Sequence, residues 1–353
     1  MNDSGGYGPV SVIMPVRNEE RHLAEAVANV LSQDYSGQLE IVLAVGPSRD
    51  RTEEIARRLA AADPRIIVVA NPSGHRPQGL NLALKAARHQ VIVRVDGHAM
   101  LPPGYIGTAV RTLAETGAVN VGGIMAAEGV TTFQRAVAWA MTSPFGVGPA
   151  RFHTGGGAGP ADTVYLGALL REAVEGAGGY DERFLVAEDW ELNHRMREAG
   201  GLIWFQPELR VSYRPRASVR ALAAQYFGYG RWRRVVARRH EGTINLRYLA
   251  PPLVTAAILA GLAAGIAGLA GVATGGGGAW LALLVAGFAV PAAYLLGVLA
   301  VTATAARGSG ALGGRALAWL PVVLVTMHIS WGLGFLTSPR HLVPGDGALP
   351  SES

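Results

Sequence analysis

The sequence predicts an α/β domain followed by an all-α membrane bundle. Over residues 1–216, apolar runs rich in Val and Ile alternate with segments whose apolar residues recur at helical spacing. Between Tyr248 and Ala306 there is no charged residue, and the whole chain is 50% apolar and 16% charged. That balance is too apolar for an ordinary soluble protein, so part of the chain is expected to lie in lipid.

The alternation of strands and helices favours a mostly parallel sheet with helices on both faces. In such a sheet, ligands bind beyond the carboxyl ends of the strands. The predicted strands cover 10–15, 39–45, 65–70, 90–96 and a shorter segment at 163–167.

Three apolar segments are each long enough to cross a membrane, which takes about 20 helical residues. We expect transmembrane helices near 251–272, 279–303 and 316–337. Arg307 and Arg315 lie between the second and third, so the positive-inside rule places that loop in the cytoplasm. The prediction is a multi-pass protein of the cell membrane, with a cytoplasmic domain 1–216 and a short tail 339–353 outside.

A basic region, 217–249, precedes the first apolar helix and contains "RWRRVVARRH". Aromatic and apolar side chains among these arginines predict a helix that lies in the membrane interface. The net charge of +5 therefore favours a membrane surface over nucleic acid as the partner. The chain has no cysteine, which excludes disulfides and thiolate metal sites, and no cleaved signal peptide is predicted.

Two polar segments follow the first two strands. In "MPVRNEE", Pro15 ends the strand and Asn18 is a candidate helix N-cap, so turn chemistry alone explains both. In "GPSRDRTEE", Asp50 and Glu53 have the spacing of a capping box. For Asp50, a structural role and a ligand contact both stay open.

The fourth strand runs into "RVDGHA", which places Asp96 and His98 two residues apart with a glycine between them. A carboxylate and an imidazole in this arrangement can share one divalent cation, and the cation would neutralise a leaving diphosphate. A solvated turn is the alternative interpretation of the same residues.

Glu188 and Asp189 open a predicted helix that runs to Gly200. The helix dipole favours carboxylates there, so capping alone could explain them. An acidic pair beside a cleft could equally act as a general base. In the third apolar segment, His328 and Trp331 share a helix face, and a packing or interfacial hydrogen bond is favoured over contact with a lipid phosphate.

Taken in order, "SVIMPVRNEE", "VRVDGHA", "GGYDERFLVAEDWELNHRMREAGG" and "QYFGYGRW" resemble the family 2 glycosyltransferases, and more narrowly the membrane-anchored branch that serves succinoglycan biosynthesis. The resemblance implies a GT-A (Rossmann-like) fold, a nucleotide-diphosphate sugar donor, a divalent cation (Mn²⁺ or Mg²⁺) and inversion at the anomeric carbon. The three apolar spans predict that the acceptor is a saccharide linked to a lipid, with polyprenyl diphosphate as the expected carrier, because an enzyme for soluble acceptors gains nothing from them. We therefore expect a role in cell-surface polysaccharide or glycolipid biosynthesis.

The resemblance also assigns roles to residues. Asp189 is the implied catalytic base with Glu188 beside it, and Asp96 and His98 occupy the first and third positions of the metal motif. The implied donor-binding residues are Pro15, Arg17, Asn18, Glu19, Asp50 and Asp96. The implied post-catalytic element beneath the donor and acceptor consists of Gln225, Arg231 and Trp232.

The sequence departs from the family pattern at two places, which bear on nucleobase recognition and on polymerase activity. Val45 and Gly46 stand where many relatives carry an aspartate pair that contacts the nucleobase, so the base is undetermined. Five residues separate Gln225 from Arg231, against two in processive synthases, which disfavours a channel-forming polymerase. Two alternatives stay open: a polyprenyl-phosphate sugar synthase, and a catalytically inactive membrane scaffold that senses nucleotides.

Overall fold

The computed structural model describes residues 8–307 and 312–343. The chain forms two compact units, the first made of the residues up to Ala126 together with Ala150–Tyr213. The second unit takes Ala127–Pro149 and the residues from Arg214 onward. The segment 127–149, which the sequence assigns to the α/β domain, thus groups with the apolar C-terminal part. The N-terminal residues considered for a signal peptide and the tail beyond 343 lie mostly or wholly outside the described residues.

The first unit is built on one sheet of eight strands in the order β3-β2-β1-β4-β7-β5-β8-β6. The strands are β1 Val10–Val16, β2 Leu39–Val45, β3 Ile66–Ala70, β4 Val91–Arg94, β5 Asn120–Ala127, β6 Gly159–Pro160, β7 Tyr165–Leu170 and β8 Ile203–Tyr213.

The half of the sheet formed by β3, β2, β1 and β4 is parallel, as the alternating pattern predicts. The other half is not, since β7 runs antiparallel to both β4 and β5, and β6 runs antiparallel to β8. The sheet is therefore mixed. The sequence-based prediction missed β5, β6 and β8, because "NVGGIMAA" is rich in glycine and β8 contains charged residues and Pro207.

Helices cover both faces of this sheet, and two apolar clusters fill the space between. One cluster packs Leu23 and Ile106 against Met14, while the other packs Leu80 and Phe205 against Ile13. The helices are α1 Leu23–Leu31, α2 Thr52–Ala62, α3 Arg76–Ala86, α4 Tyr105–Thr116, α7 Arg151–Thr154, α8 Arg171–Gly176 and α9 Glu188–Glu198.

The second unit is entirely helical. Its helices are α5 Thr132–Met141, α6 Pro144–Val147, α10 Val219–Arg239, α11 Leu246–Ala273, α12 Gly278–Ala305 and α13 Gly314–Leu336, and one 3₁₀ turn follows at Arg340–Leu342. By length and composition, α11, α12 and α13 could each cross a membrane. Their positions match the three predicted apolar helices.

Small residues bring α11 and α12 into close contact, as the glycine spacing predicts. A Cβ at Gly261 would lie 2.7 Å from the carbonyl oxygen of Gly287, and one at Gly265 would lie 2.8 Å from the ring of Phe288. Because larger residues would collide, these glycines allow the two helices to pack backbone to backbone as a hairpin.

Candidate active site

A buried arginine at the end of β4 gathers the acidic residues of the predicted site. The side chain of Arg94 is 3% exposed. Its Nη2 lies 3.2 Å from Oε1 of Glu188 and 3.4 Å from Oδ1 of Asp96, and its Nη1 forms an ion pair with Asp189. Carboxylates from two distant parts of the sequence, Asp96 on one side and Glu188 and Asp189 on the other, thus meet at one guanidinium.

Local backbone geometry explains how these side chains converge. Asp96 follows β4 directly, and β4 pairs with β1 on one side and β7 on the other. Glu188 and Asp189 begin α9, directly after Ala187, whose φ of 68° is left-handed. This conformation is uncommon for a residue other than glycine, and it turns the chain so that α9 begins at the cluster.

The charges in the cluster support one another. Burial alone would lower the pKa of Arg94, but the carboxylates of Asp96 and Glu188 outweigh it and raise that pKa. Burial alone would raise the pKa of Asp96, but Arg94, Arg76 and His98 outweigh it and lower that pKa. The cation and its neighbouring carboxylate are therefore both held in their charged forms.

His98 lies beside this cluster and is paired with a carboxylate from the first loop. Its Nδ1 is 2.8 Å from Oε1 of Glu19. The hydrogen bond to Glu19 raises the pKa of His98, although partial burial opposes the shift. Glu19, which the resemblance assigns to the nucleotide pocket, thus orients the predicted metal-site histidine.

The described residues contain no group of three or more His, Cys, Asp or Glu side chains that could hold a metal ion. Asp96 and His98 provide one carboxylate and one imidazole. Because Glu19 occupies Nδ1 of His98, Nε2 is the ring nitrogen left to bind a cation, and a carboxylate on the other nitrogen is the usual partner of a metal-binding histidine. Asp96 and His98 could therefore each supply one ligand to a divalent cation.

The other predicted donor-binding residues form a turn network around the ends of β1 and β2. Asn18 has a φ of 56°, and its side-chain oxygen accepts a hydrogen bond from the backbone of Arg49 at 2.9 Å. The prediction that Asn18 caps a helix is wrong, because α1 begins only at Leu23 and has His22 at its N-cap. Asn18 instead ties together the loops that follow β1 and β2.

Asp50 joins the same network. Its carboxylate accepts hydrogen bonds from the backbone of Thr52 at 3.0 Å and of Glu20 at 3.2 Å. The capping box with Glu53 does not form, because α2 begins at Thr52 and Glu53 is already its second residue. Asp50 therefore has the structural role that the sequence left open.

Space explains why Gly46 stands where relatives carry an aspartate. A Cβ at Gly46 would lie 2.9 Å from the Cα of Gly74, too close for a side chain. Arg17 crosses the same place and donates to the carbonyl oxygens of Pro47 at 3.2 Å and Gly74 at 3.4 Å. Pro15 lies in β1, opposite Ala44 of β2.

The predicted post-catalytic residues lie on α10, in the second unit. Gln225 donates to the hydroxyl of Tyr229 at 2.8 Å, Arg231 lies over the ring of Phe227, and Trp232 is buried. His328 on α13 contacts the hydroxyl of Tyr294 at 3.0 Å and the carbonyl oxygen of Phe145 at 2.8 Å. These are the packing hydrogen bonds that the sequence favoured for His328.

Sequence reasoning missed Arg94 and Arg76, which both reach Oε1 of Glu188 at 3.2 Å. Arg94 carried a usable signal, because it is a charged residue inside the apolar run "VIVRV". A charge in a buried strand requires a partner, and the partners here are acidic residues of the site. Arg76 lies in a polar segment and carried no such signal.

The mixed sheet, with Asp96 directly after β4 and Glu188 and Asp189 at the start of α9, has the GT-A fold of nucleotide-sugar transferases. The model of glycosyl transferase family 2 matches residues 11–176. The succinoglycan biosynthesis protein ExoA of Rhizobium meliloti is 33% identical over 92% of this chain and 93% of its own length. The chain belongs to glycosyl transferase family 2, and it is a glycosyltransferase.

Two further similarities are more distant. A dolichyl-phosphate-linked-sugar glucuronosyltransferase of Methanococcus voltae is 22% identical over 69% of this chain and 77% of its own length. The mannosyltransferase PcManGT of Pyrobaculum calidifontis, solved with GDP-Man and Mn²⁺, superposes with a TM-score of 0.58. It is 19% identical and covers 93% of this chain and 87% of its own, so it supports the fold alone.

Proposed function

We propose that this enzyme transfers a sugar from a nucleotide-diphosphate sugar to a lipid-linked saccharide at the membrane surface, with inversion at the anomeric carbon. The observation that carries the proposal is the Arg94 cluster, which brings Asp96, the metal-motif residue, next to Asp189, the base of the family. The family membership, the similarity to ExoA along most of the chain and the apolar C-terminal helices support it.

Exposure separates the roles of Glu188 and Asp189, the first two residues of α9. The side chain of Glu188 is 4% exposed and pairs with Arg76 and Arg94, whereas that of Asp189 is 32% exposed. Only Asp189 has the access that an incoming acceptor hydroxyl requires. We therefore assign the base to Asp189, and Glu188 holds the arginines in place.

In the reaction, the acceptor oxygen attacks the anomeric carbon while the bond to the diphosphate oxygen breaks on the opposite face. The acceptor proton passes to a carboxylate oxygen of Asp189. Arg94 orients that carboxylate through their ion pair. Asp96 and His98 would hold the divalent cation, which when bound stabilises the charge of the departing diphosphate. Because His98 supplies a nitrogen, Mn²⁺ is expected to support more activity than Mg²⁺.

The nucleobase has to be recognised without the aspartate of the relatives, because Gly74 and Arg17 fill the space beside Gly46. The acceptor is proposed to be lipid-linked because α10 carries six arginines and no acidic residue directly before the apolar helices. Such a helix attracts anionic headgroups and the phosphate groups of polyprenyl carriers.

The test is a panel of nucleotide sugars, each incubated with Mn²⁺, native lipid extract and the full chain in lipid nanodiscs, with products identified by mass spectrometry. Sugar added to a diphosphate-linked saccharide supports the proposal. Sugar added directly to polyprenyl phosphate would establish the synthase alternative instead. Donor binding without transfer or hydrolysis, with every donor, would establish the inactive scaffold.

Asp189→Asn is expected to bind donor normally and to lose turnover by about 10² to 10⁴, the usual contribution of a positioned base. The matched control is Asp162→Asn. Asp162 is 79% exposed and pairs with Arg197, which lies on α9, the helix that carries Asp189. Turnover and donor affinity are measured together. If Asp189→Asn keeps the turnover of the control, the base is a different residue.

A further inference from the structure

The third apolar helix, α13, packs differently from the other two. We propose that α13 does not cross the membrane but lies along its surface, on the side of the α/β unit. With α5 and α10 it then forms a platform whose partner is the lipid interface, and α11 and α12 form the membrane-spanning hairpin. In this arrangement the chain leaves α13 on the same side as it entered, contrary to the three crossings expected from hydropathy.

The segment containing α5 and α6 cannot lie on the far side of a membrane. It leaves the sheet at the end of β5, Ala127, and returns to it at β6, Gly159. Both ends are therefore attached to strands of one folded, water-soluble sheet. A segment of this length, with two short helices and no apolar span, stays on the side of that sheet.

Helix α10 is held on that side for a different reason. Only five residues separate it from the end of β8 at Tyr213, and its 21 residues include six arginines. Each arginine at the centre of a bilayer costs about 2.5–3.5 kcal/mol even on the scales with the lowest values. Helix α10 therefore lies at the surface and cannot span the hydrocarbon.

Helix α13 contacts these surface elements over nearly its whole length. Near its start, the ring of Trp319 meets that of Phe133 on α5 edge to face, with centroids 5.4 Å apart. Further along, Nε2 of His328 is 2.8 Å from the carbonyl oxygen of Phe145 on α6. Just past its end, the hydroxyl of Ser338 donates to the carbonyl oxygen of Arg231 on α10 at 2.9 Å.

These contacts extend over a length comparable to the thickness of a membrane. Residues 319 to 338 rise by about 28 Å in a helix at 1.5 Å per residue. The hydrocarbon core of a bilayer is about 30 Å thick. If α13 crossed, either its contact with α5 or its contact with α10 would have to lie at the opposite surface. The attachment of the α5 segment to the sheet and the six arginines of α10 exclude this.

The contact between α10 and α13 is also too close to be incidental. A Cβ at Gly230 would collide with the carbonyl oxygen of Trp331, and one at Gly334 would collide with that of Phe227. Arg238 closes the end of the contact by donating to the carbonyl oxygen of Ser338 at 2.8 Å. An arginine bound to the end of α13 fixes that end at the level of the basic helix.

Helix α13 meets the spanning hairpin in the same way, at the end from which α11 starts. A Cβ at Gly332 would meet the side chain of Thr255 and the carbonyl oxygen of Pro251, both within the first ten residues of α11. The exposed apolar side chains of α13 are Trp319, Val322 and Leu336. Their partner is the lipid interface, which is continuous with the lipid around α11 and α12.

Labelling of single cysteines tests the proposal, since the chain has no cysteine of its own. Four exposed positions are replaced in the full chain: Ala61→Cys in the α/β unit, Gly277→Cys between α11 and α12, Arg315→Cys at the start of α13, and Arg340→Cys after it. Intact cells are treated with a membrane-impermeant maleimide, and permeabilised cells report total reactivity.

We expect Gly277→Cys to label in intact cells, and Ala61→Cys, Arg315→Cys and Arg340→Cys to label at least tenfold more after permeabilisation. Arg340→Cys labelled from outside, with Ala61→Cys protected, would overturn the proposal and establish three crossings. If Ala61→Cys and Arg340→Cys both label from outside, the surface position of α13 is upheld and only the cytoplasmic orientation of the α/β unit fails. Sugar transfer by each variant confirms that it is folded.

Discussion

Two buried arginines, one in each unit, have opposite surroundings. Arg94 is 2% exposed and lies among three carboxylates, of which Asp96 and Glu188 raise its pKa although burial opposes them. Arg233 on α10 is 6% exposed, lies 3.7 Å from the ring centre of Tyr248 and donates to the carbonyl oxygen of Thr243. Burial lowers the pKa of Arg233 to about 10.

The difference shows what each unit does with positive charge. At the site, the charge of Arg94 is balanced by acidic residues and fixes their positions. On α10, Arg231 and Arg234 lie over the rings of Phe227 and Phe335, which stabilise a cation without cancelling its charge. The first arrangement builds a rigid site with excess negative charge, and the second keeps a positive surface available for anionic groups.

The largest expected effect, on both stability and sugar transfer, comes from removing the positive charge of Arg94. Arg94→Met leaves three carboxylates without their common partner, and breaking a buried ion pair typically costs about 3–5 kcal/mol. We expect a large drop in the thermal midpoint of the purified protein and no measurable sugar transfer. Arg94→Lys keeps the charge but lacks the planar guanidinium that binds several carboxylates at once. It should therefore recover most of the stability and little of the activity. Equal activity in wild type and Arg94→Lys would contradict the positioning role.

A smaller effect, on metal binding, is expected at Glu19, which pairs with His98 rather than with Arg94. Glu19→Gln replaces the carboxylate that orients His98 with a neutral amide, which is a weaker acceptor, and should weaken Mn²⁺ binding about 10- to 100-fold, as loss of such a carboxylate partner usually does. Mn²⁺ binding in the presence of nucleoside diphosphate is measured by electron paramagnetic resonance. The control is Glu20→Gln, which changes the neighbouring glutamate. If both variants bind Mn²⁺ like wild type, His98 is not a ligand.

The smallest effect is expected at Arg233, which lies over the ring of Tyr248 and donates to the carbonyl oxygen of Thr243. Its contact with Tyr248 contributes about 2 kcal/mol, and methionine can fill much of the same space. Arg233→Met should therefore lower the thermal midpoint clearly less than Arg94→Met does, with both variants measured in the same nanodiscs. A larger drop for Arg233→Met would reverse the comparison between the two arginines.

Much of the site could be predicted because its signals are local. Asp96 and His98 follow a strongly apolar strand, and Glu188 and Asp189 open a helix, so the order of elements places them near the same edge. The parallel half of the sheet follows from the alternation of Val- and Ile-rich runs with helices. The role of Arg94 does not follow from strand prediction, because the apolar run around it predicts a strand whether or not its charge has acidic partners.

The remaining features depend on contacts that local sequence does not encode. The apolar positions of α5, including Phe133 and Val137, are those of any helix on a sheet, yet this helix packs on α13. Hydropathy likewise treats α13 as equivalent to α11 and α12, because a window of residues contains no information about which helices lie beside it. The antiparallel strands were missed because their glycines and charges are unfavourable for strands.

The grouping of residues 127–149 with the C-terminal helices has a practical consequence for making this enzyme. The chain passes between the two units three times, at residues 126–127, 149–150 and 213–214. A fragment ended near residue 216 would keep α5 but lose α13, exposing the apolar surface around Phe133, whose ring meets that of Trp319 on α13. Such a fragment is expected to aggregate, so a soluble form requires redesign of the α5 surface as well as truncation.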